Sequence, residues 1–223
     1  MNKVRDATEQ GSPRERLVRA AMRLFAERGY GRTTIGDIEE AAGFTRRGGT
    51  LYHYFPSKEA VLEAALQEHT QAVEDLGGLA RLLPLPDRSS ELLLLGKWLL
   101  AELDRQHDLV RVLEKEGDQL AEVRDRLNRE LVDSGYRWTA DYGQAMLPDD
   151  HGWDLEAVAV LLVGALVNFR RTQWTFGRAP LKVSEDRLLA AWVDVTSRLI
   201  DAAIRDGAET TRSTSPRRPK RAP

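Results

Sequence analysis

The sequence predicts an all-α fold. Apolar residues recur at intervals of three and four along most of the chain, and the alternation typical of half-buried strands is missing. Serine, threonine or aspartate precedes several of these stripes, and glycine or proline follows them, as helix caps require. With 223 residues, of which 42% are hydrophobic and 30% charged, the chain is long enough to bury a sizeable core.

Capping residues mark the first two predicted helices. Ser12 and Glu15 form a capping box at the start of the first helix, and Gly29 is placed to end it. Thr34 caps a short second helix, which Gly43 ends. The sequence therefore predicts two helices in close succession near the N-terminus.

A third short helix is predicted from about Arg46 to Tyr54, after the segment Gly43-Phe44-Thr45. Two short helices joined in this way are typical of a helix-turn-helix, in which the second helix enters the DNA major groove by its N-terminal end. Ser57 then caps a longer fourth helix. These signals predict a small DNA-binding head.

The residues around the third helix suit contacts with DNA. Arginine pairs with the O6 and N7 atoms of guanine, and threonine can touch a thymine methyl group or a phosphate. Two adjacent glycines each cost a helix about 1 kcal/mol relative to alanine, which favours a functional reason for them. The alternative is that the arginines form a solvated helix start. The candidate contacts are Thr45, Arg46, Arg47, Gly48, Gly49, Thr50, Tyr52, His53 and Lys58.

Charge is unevenly distributed along the chain. Residues 1–60 carry eleven Lys/Arg against eight Asp/Glu, and residues 207–223 carry five against one, although the whole chain has a net charge of -2. A basic head on an acidic body favours a polyanionic partner. Residues 207–223 contain almost no apolar residue, so we expect a disordered basic tail.

Several classes of function find no support in the sequence. The chain has no cysteine, which excludes disulfides and thiolate chemistry, and no apolar run reaches the roughly 20 residues that a membrane span needs. We therefore expect a cytoplasmic protein. The histidines lack metal-ligand spacing, and Glu114, Glu116 and Asp118 have no nucleophile or cofactor motif nearby. We expect neither an enzyme nor a cofactor.

The remainder of the chain predicts further helices. A linker around Gly77 to Pro86 precedes them, and Asp149-Asp150 forms a loop. The predicted helices cover Ser90 to Arg105, a short segment near His107, a long stripe from Leu120 to Ala145, a segment from Asp154 to about Trp174, and a last helix capped by Ser184.

The last two helices are apolar on more than one side. Such helices bury both faces when they pack against the same pair in a second subunit, which predicts a homodimer built on a four-helix arrangement. The alternative is a helix inside a monomeric core. The predicted interface residues are Leu162, Leu166, Leu188, Trp192, Val195 and Leu199.

Residues 14–66 resemble the N-terminal domain of the tetracycline-repressor family of transcriptional regulators. The resemblance rests on Leu24-Phe25, Gly29-Tyr30, Thr33-Thr34, Asp37-Ile38, Ala42-Gly43-Phe44-Thr45, Gly49-Thr50-Leu51-Tyr52-His53-Tyr54-Phe55 and Ser57-Lys58-Glu59. It covers about a quarter of the chain. Between Gly43-Phe44-Thr45 and Thr50-Leu51-Tyr52 this sequence is two residues longer than the family pattern.

The resemblance implies an organisation and a function. It implies an arm over 1–12, a helix-turn-helix domain over 13–58, a helical ligand-binding and dimerisation domain over 59–206, and the tail. It also implies a repressor that binds a pseudo-palindromic operator at the nucleoid and is released by a small molecule. Carried over residue by residue, the family's phosphate contacts fall on Thr34, Tyr52, His53 and Lys58.

The resemblance places the effector pocket among the central helices. Aromatic and polar side chains there are candidates to line it, although core packing or surface exposure explains each equally well. They are Trp98, His107, Tyr136, Trp138, Asn168, Arg170 and Trp174. An activator, a ligand-independent regulator and a helical protein-interaction module remain alternatives to the repressor.

Overall fold

The computed structural model describes residues 11–68, 71, 87–116, 120–148 and 151–214, without the side chains of Leu127, Leu131 and 208–214. These residues form helices and connecting loops, with no strand among them, so the all-α prediction is confirmed. Most of the predicted arm, the linker at Gly77 to Pro86, Asp118, Asp149-Asp150 and the end of the tail lie outside the described residues. The chain divides into two compact units, Met1–Leu79 with Glu102–Asp133 and Ala80–Ala101 with Ser134–Pro223.

The first unit begins with four helices. They are α1 (Pro13–Arg28), α2 (Ile35–Ala41), α3 (Thr50–Tyr54) and α4 (58–68). The predicted caps are confirmed: Ser12 and Glu15 form a capping box on α1, Thr34 and Asp37 form another on α2, and the Ala60 N–H donates to the Ser57 hydroxyl.

A later segment of the chain shares the core of these four helices. The next helix, α5 (Arg88–Glu116), contributes Leu109, Val112 and Leu113 from its C-terminal part. The Lys115 ammonium donates a 2.6 Å hydrogen bond to the Ala26 carbonyl near the end of α1. The first compact unit is thus larger than the predicted head over 13–58.

The helices that follow α4 differ in length from those that the sequence predicted. Predicted helices over Ser90 to Arg105 and near His107 are one helix, α5, because no glycine or proline separates them. The long predicted stripe is α6 (Ala121–Leu127), a π-helix (Asn128–Asp133) and α7 (Ser134–Met146) in succession. The chain passes from the first compact unit to the second at the end of this π-helix, and one of the earlier crossings lies within α5, between Ala101 and Glu102.

The second unit is built on α8 (Leu155–Phe176) and α9 (Glu185–Thr214), which a short 3-10 turn connects. The Trp192 indole N–H donates to the Leu162 carbonyl at 2.9 Å and ties the two helices together. The predicted tail boundary at 207 is wrong, since α9 continues to Thr214 and the first proline after it is Pro216. None of the described helices has a stretch long and apolar enough to cross a membrane.

Candidate nucleic-acid interface

The segment between α2 and α3 turns twice. Gly43 has a φ of 80°, and a Cβ there would lie 2.7 Å from the Arg16 guanidinium. That guanidinium donates to the Ala42 carbonyl and covers the Phe44 ring, so it fixes the end of α2. The left-handed backbone favours glycine at position 43, and a Cβ there would displace the Arg16 guanidinium.

The second turn covers Thr45 to Gly49 and is called the arginine turn below. The Gly48 N–H donates to the Thr45 carbonyl at 2.9 Å, and Arg47 and Gly49 have φ values of 58° and 78°. The predicted third helix from Arg46 is therefore wrong at its start, because α3 begins only at Thr50. Left-handed backbone at two of these positions cannot continue a right-handed helix.

A buried carboxylate supports the arginine turn. Glu39 on α2 is fully buried, and its two oxygens accept hydrogen bonds from the Gly48 N–H at 3.1 Å and the Leu51 N–H at 3.0 Å. Gly49 precedes α3 and has no side chain with which to cap it. The role of Glu39 was not predicted from the sequence, although a helix preceded by glycine signals that its free N–H groups need an outside acceptor.

The two arginines differ in their surroundings. Arg46 makes ion pairs with Asp37 at 2.9 Å and Glu40 at 3.3 Å, and its side chain remains 50% exposed. Water screens the ion pairs of a half-exposed arginine, so these pairs contribute little to stability and a phosphate or base can replace them. Arg47 is exposed and has no hydrogen-bond or ion-pair partner in the part of the chain that the structure describes.

The first turns of α3 separate into an exposed face and a buried face. Tyr52 is 60% exposed and His53 is exposed, whereas Leu51 and Phe55 are buried in the core of the first unit. Leu51 and Phe55 thus pack inward, while Tyr54, at 39% exposed, packs inward only in part. The hydroxyl group of Tyr52 and the imidazole of His53 thus face outward, while Leu51 and Phe55 anchor the helix in the core.

Comparison with known proteins places this head in a family. The model of bacterial regulatory proteins of the tetR family matches residues 17–65, which contain α1, α2, α3 and most of α4. The head is therefore similar to the domain that this family model describes. The resemblance that was inferred from the sequence motifs of the head is confirmed.

Curated relatives match this chain mainly through the head. The transcriptional repressor KstR2 of Mycolicibacterium smegmatis is 39% identical over 61 residues, which cover 27% of this chain and 29% of that protein. The uncharacterised regulator YvkB of Bacillus subtilis is 28% identical over 113 residues, 49% of this chain and 54% of its own. The chain thus spans about half or less of the length of these relatives.

Solved structures show that the fold continues through the body. A regulator from Saccharomonospora viridis in complex with choline covers 81% of this chain and 93% of its own at a TM-score of 0.60 and 24% identity. The fatty acid degradation regulator FadR of Bacillus halodurans covers 86% and 95% at a TM-score of 0.58 and 20% identity. At these identities the likeness shows the fold alone.

Two of the residues predicted to contact phosphate, Thr34 and Lys58, make hydrogen bonds within the head. The Thr34 hydroxyl donates to Asp37 at 2.6 Å, and its backbone N–H donates to the same carboxylate oxygen at 3.0 Å. These bonds are the chief reason that the pKa of Asp37 is lowered, with a smaller contribution from the charge of Arg46. Thr34 acts first as a helix cap.

Lys58 is partly buried, and its ammonium is used inside the head. Its ammonium donates to the carbonyls of Tyr30 at 2.9 Å and Thr33 at 3.0 Å, and it lies 4.4 Å from the centre of the Tyr30 ring. Two of its three N–H donors are therefore used inside the head. The exposed candidates that the structure brings together are Thr45, Arg46, Arg47, Gly48, Gly49, Tyr52 and His53, with the half-exposed Thr50 beside them.

The candidate effector residues divide between the two compact units. His107 belongs to the first unit, and the other six candidates, Trp98, Tyr136, Trp138, Asn168, Arg170 and Trp174, belong to the second. Asn168 is exposed on α8, while the side chain of Arg170 is 12% exposed and pairs with Glu185 at 2.8 Å. The charge of Arg170 is thus already balanced by a carboxylate.

Sequence analysis missed Tyr142 among the aromatic residues of the second unit. The Trp138 and Tyr142 rings stack with centroids 5.4 Å apart and an interplanar angle of 16°. Burial raises the pKa of Tyr142, and the negative charge of the nearby Glu91 carboxylate raises it further. The helical spacing of Trp138 and Tyr142 on α7 was the signal that could have paired them.

The residues predicted to form the dimer interface differ in their exposure. Leu166 is fully buried within the chain, so its assignment to a dimer interface is wrong. Val195 is 50% exposed, and Leu162, Leu188, Trp192 and Leu199 are partly exposed. Sequence analysis missed two exposed apolar side chains on α8, Val160 at 54% and Leu161 at 66%. In the described residues no group of three or more acidic or histidine side chains could hold a metal ion.

Proposed function

We propose that this protein is a transcriptional regulator of the tetR family, and specifically a repressor, that binds a pseudo-palindromic operator as a homodimer. A small-molecule effector would release it from DNA. It would act at the nucleoid, where its operator lies. The proposal rests on one observation above all: the arginine turn and the outer face of α3 are exposed beside a buried base of Leu51 and Phe55.

The chemistry of that exposed surface supports DNA as the partner. Arg47 offers a guanidinium without an internal partner among the described residues, and Arg46 has only exposed ion pairs to give up. The adjacent hydroxyl groups of Thr45, Thr50 and Tyr52 can donate to phosphates. An arginine fork recognises guanine in the major groove, so the turn supplies base-reading groups and α3 supplies positioning groups.

The homodimer is supported by the apolar side chains that α8 and α9 leave exposed. Val160, Leu161 and Val195 are each at least half exposed, and we propose that they, with the partly exposed Leu162, Leu188, Trp192 and Leu199, pack against a second copy. A two-fold dimer presents two heads to DNA. The two half-sites would then lie about one helical turn, roughly 34–36 Å, apart.

The effector site is proposed within the second unit, near the stacked rings of Trp138 and Tyr142. Aromatic surfaces favour planar or apolar ligands. Titrating the protein with planar cations and with lipophilic compounds while following tryptophan emission tests this proposal. A compound that changes the emission and also releases DNA supports it, and an absence of response across both panels contradicts it.

The DNA-binding part of the proposal is tested by selecting bound duplexes from a random pool with the full chain at physiological salt. We expect an enriched inverted repeat with half-sites one helical turn apart. The same selection with Arg46→Ala and Arg47→Ala should relax particular positions in each half-site. Selection without enrichment, before and after ligand is stripped by refolding, would contradict the proposal. A reporter that falls when the gene is deleted would identify an activator instead.

A further inference from the structure

The arginine turn has an unusual internal support. Gly49, which lies directly before α3, cannot cap this helix, and the acceptor for the Leu51 N–H comes from the buried carboxylate of Glu39 on the preceding helix α2. The second oxygen of the same carboxylate accepts from the Gly48 N–H. Glu39 therefore holds both ends of the short stretch from Gly48 to Leu51.

The chemistry of Glu39 matches this role. An ionised carboxylate only accepts hydrogen bonds, and its two oxygens meet two backbone N–H donors at 3.0 and 3.1 Å. Hydrogen bonds to a charged acceptor are stronger than those between neutral groups, and Glu39 itself is fully buried. The Thr45 carbonyl also accepts from the Gly48 N–H, so the turn is closed on itself and fastened to α2.

The placement of the arginines depends on this fastening. Arg46 and Arg47 directly precede Gly48, and the Cγ atoms of both approach the backbone of α2 at Gly36, where a Cβ would lie 3.0 and 3.2 Å from them. A shift of Gly48 away from Glu39 would move both arginines relative to α3. A displacement of this kind alters which base edges the guanidinium groups can reach.

We propose that Glu39 is a positioning residue for DNA recognition, which determines sequence specificity by fixing the arginine turn without touching DNA itself. This inference rests on the proposed DNA-binding function. It differs from a purely stabilising role because it predicts a change in sequence preference in a chain that is still folded.

The test compares Glu39→Gln with Glu27→Gln in the full chain. The glutamine at 39 has nearly the same shape, but it keeps one acceptor oxygen and places an NH2 group opposite a backbone N–H. Glu27 is exposed on α1, and its substitution makes the same change in net charge. The measurement is the ratio of affinities for the selected operator and for random duplex DNA, with folding of each variant checked by circular dichroism.

We expect Glu39→Gln to lower this ratio by about tenfold or more, as loss of one buried hydrogen bond to a charged group implies. Its affinity for random duplex DNA should match that of Glu27→Gln. An unchanged ratio in folded Glu39→Gln would overturn the inference and leave DNA recognition standing. If the unsubstituted chain itself had no preferred sequence, the proposed function would fail instead.

A measurement on the unsubstituted chain covers the case in which Glu39→Gln does not fold. The Gly48 and Leu51 amides should exchange hydrogen at least about tenfold more slowly than in an unstructured peptide, both in the free chain and on the operator. Retained protection on the operator supports the inference, because the turn must stay fastened while it reads DNA. Exchange of Leu51 at the peptide rate in either state overturns it.

Discussion

Arg47 offers a substitution whose effects on folding and on DNA binding should have opposite signs. Its φ of 58° lies in the left-handed region, which costs a residue with a side chain about 1–2 kcal/mol. Glycine avoids this cost but loses more chain entropy on folding, by about 0.5–1 kcal/mol. Arg47→Gly should therefore raise the free energy of unfolding by up to about 1.5 kcal/mol.

The same substitution removes a side chain that we assign to DNA contact. Loss of one arginine contact with a base costs about 1–3 kcal/mol of binding free energy, which corresponds to roughly 5- to 150-fold weaker binding. Urea unfolding followed by circular dichroism measures the first effect. Fluorescence anisotropy with the labelled operator measures the second.

Two controls separate the contributions. Arg47→Ala removes the same side chain but keeps the left-handed strain, so it should lose the same DNA affinity without the gain in stability. Arg23→Ala removes one exposed positive charge from α1 and measures the non-specific electrostatic loss. The reasoning is refuted if Arg47→Gly binds the operator as tightly as the unsubstituted chain, or if it unfolds more easily than Arg47→Ala.

Three further predictions concern residues that the structure reassigns. Lys58→Met should lower the free energy of unfolding by about 2 kcal/mol, because two backbone carbonyls lose a charged donor. The folded fraction should bind the operator within about twofold of the unsubstituted chain. A much larger loss of affinity would restore Lys58 as a phosphate contact. Leu161→Asp should yield monomers in analytical ultracentrifugation, because Leu161 is exposed on the proposed interface. Leu166→Ala should instead lower the free energy of unfolding by about 2–5 kcal/mol and keep the dimer, because Leu166 is buried within the chain. A dimeric Leu161→Asp would contradict the proposed interface. Because the pKa of Asp37 is lowered below 3.8 in the folded chain, its contribution to stability is present above that pH and is lost as the pH falls through the lowered value. Asp37→Asn should therefore reduce the acid dependence of the melting temperature below about pH 4, and an unchanged dependence would argue against the Thr34 hydrogen bonds as its cause.

The sequence predicted those parts of the fold that local chemistry determines. The helix caps are an example, because a cap depends on one side chain and on backbone N–H groups two or three residues away. The side chains observed to cap helices are those of Ser12, Thr34, Ser57, Asp154 and Ser184. The helix-turn-helix followed from two such caps and a short connection.

Features that depend on distant parts of the chain were not predictable in this way. Glu39 acts on N–H groups nine and twelve residues further along, and Lys58 on carbonyls 28 and 25 residues before it. Leu166 and Leu161 lie on the same apolar helix, and only the packing of α8 decides which one is buried. The start of α3 was misplaced because propensity alone does not reveal that Arg47 adopts a left-handed backbone.

Hydrogen exchange of the full chain with and without the selected operator tests the central claim most directly, since it locates the DNA-contacting surface without any substitution. We predict added protection in the arginine turn and α3, over residues 45–54, with at most small changes on the exposed face of α8. Protection that spared residues 45–54 while the operator was bound would contradict the assignment of this surface to DNA recognition.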